Sequence, residues 1–297
     1  WAVWSHHMFT VGLGPVANSV FTITTMLIAV PTGIKIFNWI GTLWKGSIEF
    51  TTSMMFALGF VALFIVGGLS GVSHAVSPSD FQQQDTYYIV AHLHYVLFGG
   101  SIMGAFAGIY YWYPKLTGKM LSETLGKLNF WFIFIGMNLT FFPMHYLGLN
   151  GMPRRIYTYP AEFGWENMNR LASLGYVILF VAFLIFIVNL WQARNSRRVS
   201  HDPWDAPGLE WSIASPPPPY NFAEIPQVEG LDQYWIAKER ARAAGTPLTE
   251  PEALVDPDSI HMPSPSYWPI FTAAGVALIG GGLLSHYAIS FLGGAIT

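Results

Sequence analysis

Apolar positions along this chain are fused into long uninterrupted runs. Residues 50–79, 86–114, 128–153, 171–193 and 262–297 contain no Asp, Glu, Lys or Arg, and 11–34 form another such stretch. Each is long enough to cross a hydrocarbon core of about 30 Å, which takes roughly 20 helical residues. Helices buried inside soluble proteins are usually shorter, so the pattern predicts an all-α fold, a polytopic transmembrane helix bundle. The elements expected are a partial helix at 1–10, where Trp1-Ala2-Val3-Trp4 reads as a cut through a helix, then spans near 13–36, 50–72, 86–113, 128–148, 170–193 and 267–292.

The polar residues divide the chain into three parts. Residues 1–194 form the helix bundle, and 195–265 gather charged residues around Pro216-Pro217-Pro218-Pro219. This second part is expected outside the membrane, mostly irregular, with a short helix near Leu231–Ala244. Residues 266–297 follow Pro263-Ser264-Pro265 and read as one additional span, with a hairpin around Gly280–Gly282 as the alternative. Basic residues set the orientation. Lys35 and Lys45, then Lys115, Lys119 and Lys127, then Arg194, Arg197 and Arg198 lie at alternate connections, while 73–85 has none. The positive-inside rule places those ends and 195–265 in the cytoplasm, and Asp80, Asp85, Arg154 and Arg155 on the outer side.

Composition narrows the chemistry. The chain is 52% hydrophobic and 10% charged, against about 25% charged in an ordinary soluble domain. It has no cysteine, which excludes thiolate-bound iron–sulfur clusters, thioether-attached haem and internal disulfides. Any metal must rest on histidine, carboxylate or backbone ligands. The net charge of −3 says little about partners, and nothing suggests nucleic acid.

Ionisable groups at membrane depth are costly, so each is a candidate for function. His92-Leu93-His94 is the most informative. Two positions apart on an α-helix is roughly 200°, so the imidazoles leave opposite flanks and suit two different metal centres. As neutral axial ligands they fit haem iron. His6 and His7, adjacent in another apolar run, can reach one lateral space and suit a copper or non-haem iron ion completed by another helix. A lone His-His pair near a helix end would ordinarily be bonded to carbonyls; the company of His92 and His94 argues for metal. His74 and His145, nearer the outer ends, are expected to be ordinary polar residues, as are His201, His261 and His286.

Arg154-Arg155 follows Gly-Met-Pro at a membrane edge, where guanidiniums can snorkel to headgroups or clamp carboxylates. Lys35 closes an uncharged run with Thr32 on its helix face. It reads equally well as a proton relay and as a snorkelling lysine.

Four segments in order carry a resemblance: Trp4-Ser5-His6-His7-Met8-Phe9-Thr10-Val11-Gly12, Ile28-Ala29-Val30-Pro31-Thr32-Gly33-Ile34-Lys35, Asp85-Thr86-Tyr87-Tyr88-Ile89-Val90-Ala91-His92-Leu93-His94-Tyr95-Val96, and Leu147-Gly148-Leu149-Asn150-Gly151-Met152-Pro153-Arg154-Arg155. Together they resemble subunit I of the haem–copper oxidases, of cytochrome c oxidase type, from its partial seventh helix to its twelfth. Asp202-Pro203-Trp204, Leu209-Glu210-Trp211 and Pro216–Pro219 with Tyr220 look like the cytoplasmic segment of bacterial members, and the last apolar run like the extra C-terminal helix some carry.

The resemblance implies roles. His6 and His7 would be two of the three ligands of the copper ion CuB, His92 the ligand of a high-spin haem (haem a3), and His94 one ligand of a low-spin haem (haem a). Arg154, Arg155 and Asp80 would serve the haem propionates, and Thr32 and Lys35 a proton pathway. Asp85 would contribute to a magnesium or manganese site, although Gln84 stands where the family often has a histidine ligand. Leu93 replaces a frequent Phe, a change of packing only. The implied activity is that of a cytochrome c oxidase: reduction of O2 to water with electrons from cytochrome c passed through subunit II, coupled to proton translocation in a bacterial cytoplasmic (inner) membrane. Subunits II and III and the lipid bilayer are the expected partners. The third copper histidine, its cross-linked tyrosine, the second low-spin haem histidine and the carboxylates of another proton pathway are not in this sequence. A quinol oxidase would share this subunit, and a nitric oxide reductase would lack Thr32-Gly33-Ile34-Lys35. A non-catalytic cytochrome would pair histidines far apart in sequence.

Overall fold

The computed structural model describes residues 2–222, 225–246 and 264–297, and among them every regular element is a helix. Trp1 and His261 lie outside the described residues. The chain divides into two units, the first covering 1–217 with 226–252 and the second 218–225 with 253–297.

In the first unit, two 3-10 turns, Trp4–His7 and Phe9–Val11, occupy the place of the expected partial helix. The difference is local: Gly12 and Gly14 take φ of 90° and 84° before Pro15, so the backbone turns sharply and no α-helix can run through. There follow α1 (Pro15–Leu43), α2 (Thr52–Ala75), α3 (Ser77–Gln83), α4 (Tyr87–Val96), a π-turn (Leu97–Ile102), α5 (Met103–Thr117), α6 (Glu123–Leu149), α7 (Glu166–Ala193) and α8 (Gln233–Ala244). α4, the π-turn and α5 form one rod over Tyr87–Thr117, which with α1, α2, α6 and α7 makes five helices long and apolar enough to cross a membrane.

Their termini are set by side chains. Thr51, Thr86 and Ser122 accept from Met54, Tyr88 and Leu125 backbone N–H groups at the starts of α2, α4 and α6. The core is aromatic: Phe56 stacks on Phe106 at 5.1 Å and meets Phe130 edge-on at 5.3 Å. Outside it, Leu27, Phe37, Leu69, Phe180 and Trp191 are exposed. An apolar exterior over an ordered core is what a lipid solvent selects.

Helices approach closely where glycine permits. A Cβ on Gly175 of α7 would overlap the Thr140 backbone of α6, one on Gly148 would overlap the Tyr88 backbone, and one on Gly99 would lie 2.7 Å from Leu63 Cβ. Without a hydrophobic drive between helices in lipid, such contacts supply the attraction through packing.

At one end of the bundle the connections carrying Lys119 and Arg198 meet, and Lys119 Nζ donates to the Arg194 carbonyl. Residues 195–217 fold against this end. Trp204 Nε1 donates to the Tyr111 carbonyl at 2.9 Å, and Lys115, buried in the last turn of α5, donates to the Ile213 carbonyl at 2.6 Å. α8 matches the expected short helix. Its Lys238 is buried, donates to Asp202, and reaches Asp205 at 2.8 Å and the Ala206 carbonyl at 2.9 Å. Burial by itself would lower the Lys238 pKa; its hydrogen bonds to Asp202 and Asp205 outweigh that and raise the value. Asp205 shifts down, chiefly through its bond from Lys238. Among its described residues the segment is largely without regular structure, and two buried lysines pin it.

In the second unit the apolar run forms two packed helices, α9 (Trp268–Leu284) and α10 (Tyr287–Ile296), in place of one span over 267–292: the hairpin alternative, with its turn a few residues after Gly280–Gly282. The break sits at Ser285-His286, where the His286 ring accepts from Ala288 N–H. Gly275, Gly282 and Gly293 have no Cβ to keep the two helices apart, so the run folds on itself.

Candidate haem and copper site

The site is assembled at the end opposite the lysines. His6 and His7 lie on the first 3-10 turn, and their Nε2 atoms converge to 2.8 Å. Thr24 of α1 tethers this turn through the Ala2 carbonyl at 2.6 Å, Thr25 lies 3.4 Å from His6 Nδ1, and the Gln84 amide donates to the His7 carbonyl at 3.3 Å. The adjacency of the pair was legible in sequence; its convergence was not, since two ring torsions set it. Among the described residues no group of three His, Asp or Glu side chains converges to hold a metal, so the pair supplies two donors.

On α4 the two histidines part as the 200° spacing requires. His92 turns to α2: its Nδ1 lies 2.9 Å from the Gly67 carbonyl and 3.1 Å from Ser70 Oγ. His94 stacks on Phe141 of α6 at 4.0 Å, its Nδ1 2.7 Å from the Val90 carbonyl of its own helix. A carbonyl oxygen only accepts, so in both rings Nδ1 carries the proton and Nε2 keeps its lone pair. That is the tautomer a metal ligand needs, and the bond from Nδ1–H to a backbone carbonyl fixes the orientation of the ring. The donor chemistry fits haem iron on both flanks.

α2 presents one face to His92. Gly67, Ser70, Gly71 and His74 follow i, i+3, i+4, i+7 spacing. Gly67 gives its carbonyl, Ser70 its hydroxyl, Gly71 leaves space beside His92 Cε1, and the His74 ring stands 5.1 Å from the His92 ring. His74, expected from its position to be an ordinary polar residue, is therefore part of this cluster. Its Nδ1 pairs with Asp80 Oδ1 at 3.2 Å. Asp80 is 2% exposed, and its Oδ2 and the His74 Nε2 are buried without a partner. Buried polar atoms are nearly always satisfied, so these two atoms have capacity for a further polar partner. His145 packs edge-on to Tyr88 at 5.1 Å and lies 5.5 Å from Tyr95. The helical spacing of small and polar residues inside the Leu/Val/Phe run of α2 is the signal by which sequence reasoning could have found this face.

Arg154 and Asp85 were expected to serve different groups and are found together. Arg154 Nε lies 2.7 Å and its terminal nitrogen 2.6 Å from Asp85 Oδ1, and the Arg154 backbone N–H donates to the Asp85 carbonyl at 2.8 Å. Arg155 follows in a left-handed conformation, φ 67°. Thr32 donates back to the Ile28 carbonyl at 3.0 Å within α1, with Lys35 one turn further on and exposed. Thr25 and Thr32, seven residues apart, share one face of α1 between His6 and Lys35.

Residues 1–184 match the family described as Cytochrome C and Quinol oxidase polypeptide I. The chain is 48% identical to cytochrome c oxidase subunit 1 of Bacillus sp. strain PS3 over 96% of its own length and 46% of that protein. It is 44% identical to quinol oxidase subunit 1 of Bacillus subtilis strain 168, over 96% of its length and 44% of that protein. It thus spans a little under half of these relatives. A haem–copper terminal oxidase dimer solved by cryo-EM shares the fold, with a TM-score of 0.59 and 22% identity, covering 67% of this chain and 40% of the other.

Proposed function

We propose that this chain, which belongs to the cytochrome c and quinol oxidase polypeptide I family, carries the oxygen-reducing part of a respiratory haem–copper oxidase. The observation that carries the reading is the divergence of His92 and His94 onto α2 and α6, each with Nδ1 bonded and Nε2 free, beside the converging pair His6 and His7. His92 would hold the high-spin haem, His94 the low-spin haem, and His6 and His7 the copper ion. When bound, these cofactors supply the electrons that reduce O2 to water.

The residues of the chain position and protect. The Gly67 carbonyl holds the His92 ring and the Val90 carbonyl the His94 ring, so neither ligand has to reorganise when its metal changes charge. Arg154, Arg155 and Asp80 would hold propionates, and Arg154 neutralises Asp85 in doing so. The Asp85–Arg154 pair accounts for Asp85 without a divalent cation, and a magnesium or manganese site is no part of this proposal. Lys35 takes up a proton from the lysine-bearing side, and the hydroxyls of Thr32 and Thr25 line the face of α1 leading to His6. The proposed donor is cytochrome c acting through subunit II, with subunit III also bound, in the bacterial cytoplasmic membrane with the lysine-bearing end inward. Quinol is the competing donor, because a quinol oxidase subunit I is similar at nearly the same identity.

The test is optical. In the full oxidase, His92→Ala is expected to abolish the high-spin haem spectrum and CO binding while the low-spin band persists, and His94→Ala to do the reverse. Retention of both bands in either variant would refute the assignment. Turnover with reduced cytochrome c against turnover with quinol separates the donors.

A further inference from the structure

Three polar atoms meet at the back of His92. Ser70 Oγ donates to the Gly67 carbonyl at 2.9 Å, that carbonyl lies 2.9 Å from His92 Nδ1, and Ser70 Oγ itself lies 3.1 Å from the same nitrogen. A hydroxyl has one hydrogen and two lone pairs. Once its hydrogen goes to the carbonyl, the Ser70 oxygen faces the His92 N–H as an acceptor. The imidazole N–H is thus shared between two acceptors, and its stronger acceptor is partly occupied by another donor. Ser70 is 6% exposed, so the competition takes place away from bulk solvent.

Both effects weaken the hydrogen bond that His92 makes to Gly67. A shared N–H lies off the line to either acceptor, and hydrogen bonds lose strength steeply away from linearity. A strong Nδ1–H bond makes a ligating imidazole more basic. Weakening that bond makes it a poorer electron donor to a metal at Nε2, which favours the reduced metal.

We propose that Ser70 is a positioning residue for the high-spin haem: by sharing the Gly67 carbonyl and the His92 N–H, its hydroxyl restrains electron donation from His92 and holds the iron's reduction potential up. The inference rests on the reading of His92 as the iron ligand, and goes beyond it by assigning control of that ligand to a side chain of another helix.

The readout is the iron–histidine stretching band of the ferrous, five-coordinate high-spin haem, recorded by resonance Raman spectroscopy on the assembled oxidase. Its presence in the wild type and its loss in His92→Ala test the ligand assignment separately. Ser70→Ala frees the carbonyl for His92 alone, so the band is expected to move to higher frequency and the high-spin haem potential to fall. Ser70→Thr keeps a hydroxyl able to bond back to its own helix and is expected to restore the wild-type frequency. Ser73→Ala removes the neighbouring hydroxyl, which donates to the Ser70 carbonyl at 2.6 Å and lies 3.0 Å from the Tyr88 hydroxyl, and is expected to leave the band in place. Should Ser70→Ala lose the haem, Ser70→Cys decides: a thiol is a weaker hydrogen-bonding group, and an intermediate upshift supports the proposal. A band that stays or falls in Ser70→Ala, or in Ser70→Cys where the alanine variant holds no haem, overturns it. So does an equal shift in Ser73→Ala.

Discussion

A Cβ placed on Gly71 would come within 2.7 Å of His92 Cε1. The His92 ring is held from behind by Gly67, so it cannot swing away without giving up its hydrogen bond. Gly71→Ala is therefore expected to displace the ring and lower turnover on the order of tenfold or more. The low-spin haem proposed on His94 should be unaffected. Reduced-minus-oxidised spectra together with CO-binding titration of the assembled oxidase check both statements; a normal high-spin band with normal turnover would show that the contact is unimportant.

Lys35→Met removes the proton-accepting group proposed on α1 while keeping the length of the side chain. Turnover is expected to fall on the order of 10²-fold, the scale of a lost proton-transfer group, with iron and copper content unchanged. Thr32→Ala should show a smaller effect in the same direction. Metal analysis beside oxygen-electrode rates separates this from loss of cofactor, and an unaltered rate for Lys35→Met would remove Lys35 from the pathway.

Gly175 faces the Thr140 backbone across α6 and α7, whereas a Cβ on Gly68 of α2 would meet nothing within 4 Å. Gly175→Val should cost at least about 1–3 kcal/mol, the usual range for overpacking, and reduce the yield of assembled protein. Gly68→Ala should fold normally. Unfolding midpoints of the two variants in detergent make the comparison, and equal midpoints would contradict the close crossing.

Lys238 and Asp202 are both buried in their ion pair, with side-chain exposures of 6% and 7%. Lys238→Met leaves Asp202 charged and without its partner, a loss of about 3–5 kcal/mol. The Trp204–Tyr111 stacking should loosen, which the amide protection of residues 202–211 in hydrogen exchange would report. Full protection in the variant would show that the pair is dispensable.

The same cluster gives a pH dependence with two edges. The Asp205 pKa is lowered on folding, so its stabilisation is present above its ordinary value of 3.8 and disappears as pH falls through the depressed value. The Lys238 pKa is raised, so its stabilisation is present below the ordinary 10.5 and disappears as pH rises through the elevated value. Protection of α8 should be level between these limits and fall beyond each. A loss of protection centred near neutrality would assign the fold of this segment to other groups.

Order along the chain was enough to read the five long helices, the spacing that separates His92 from His94, the adjacency of His6 and His7, and the family. These properties depend on runs of transfer free energy and on the helical repeat, which are local and legible in order along the chain. Its limits are equally physical. The apolar run at 267–292 looks like one span because hydropathy does not register the close glycine packing and the capping at His286 that fold it into α9 and α10. His74 seemed incidental, and Asp85 and Arg154 seemed to have separate tasks, because pairing across helices depends on which faces meet. That α2 turns Gly67, Ser70, Gly71 and His74 toward His92 while α6 turns Phe141 toward His94 follows from how whole helices pack. Those contacts join residues 18 or more positions apart, and their geometry is set by rotation of whole helices, a quantity that no local pattern encodes.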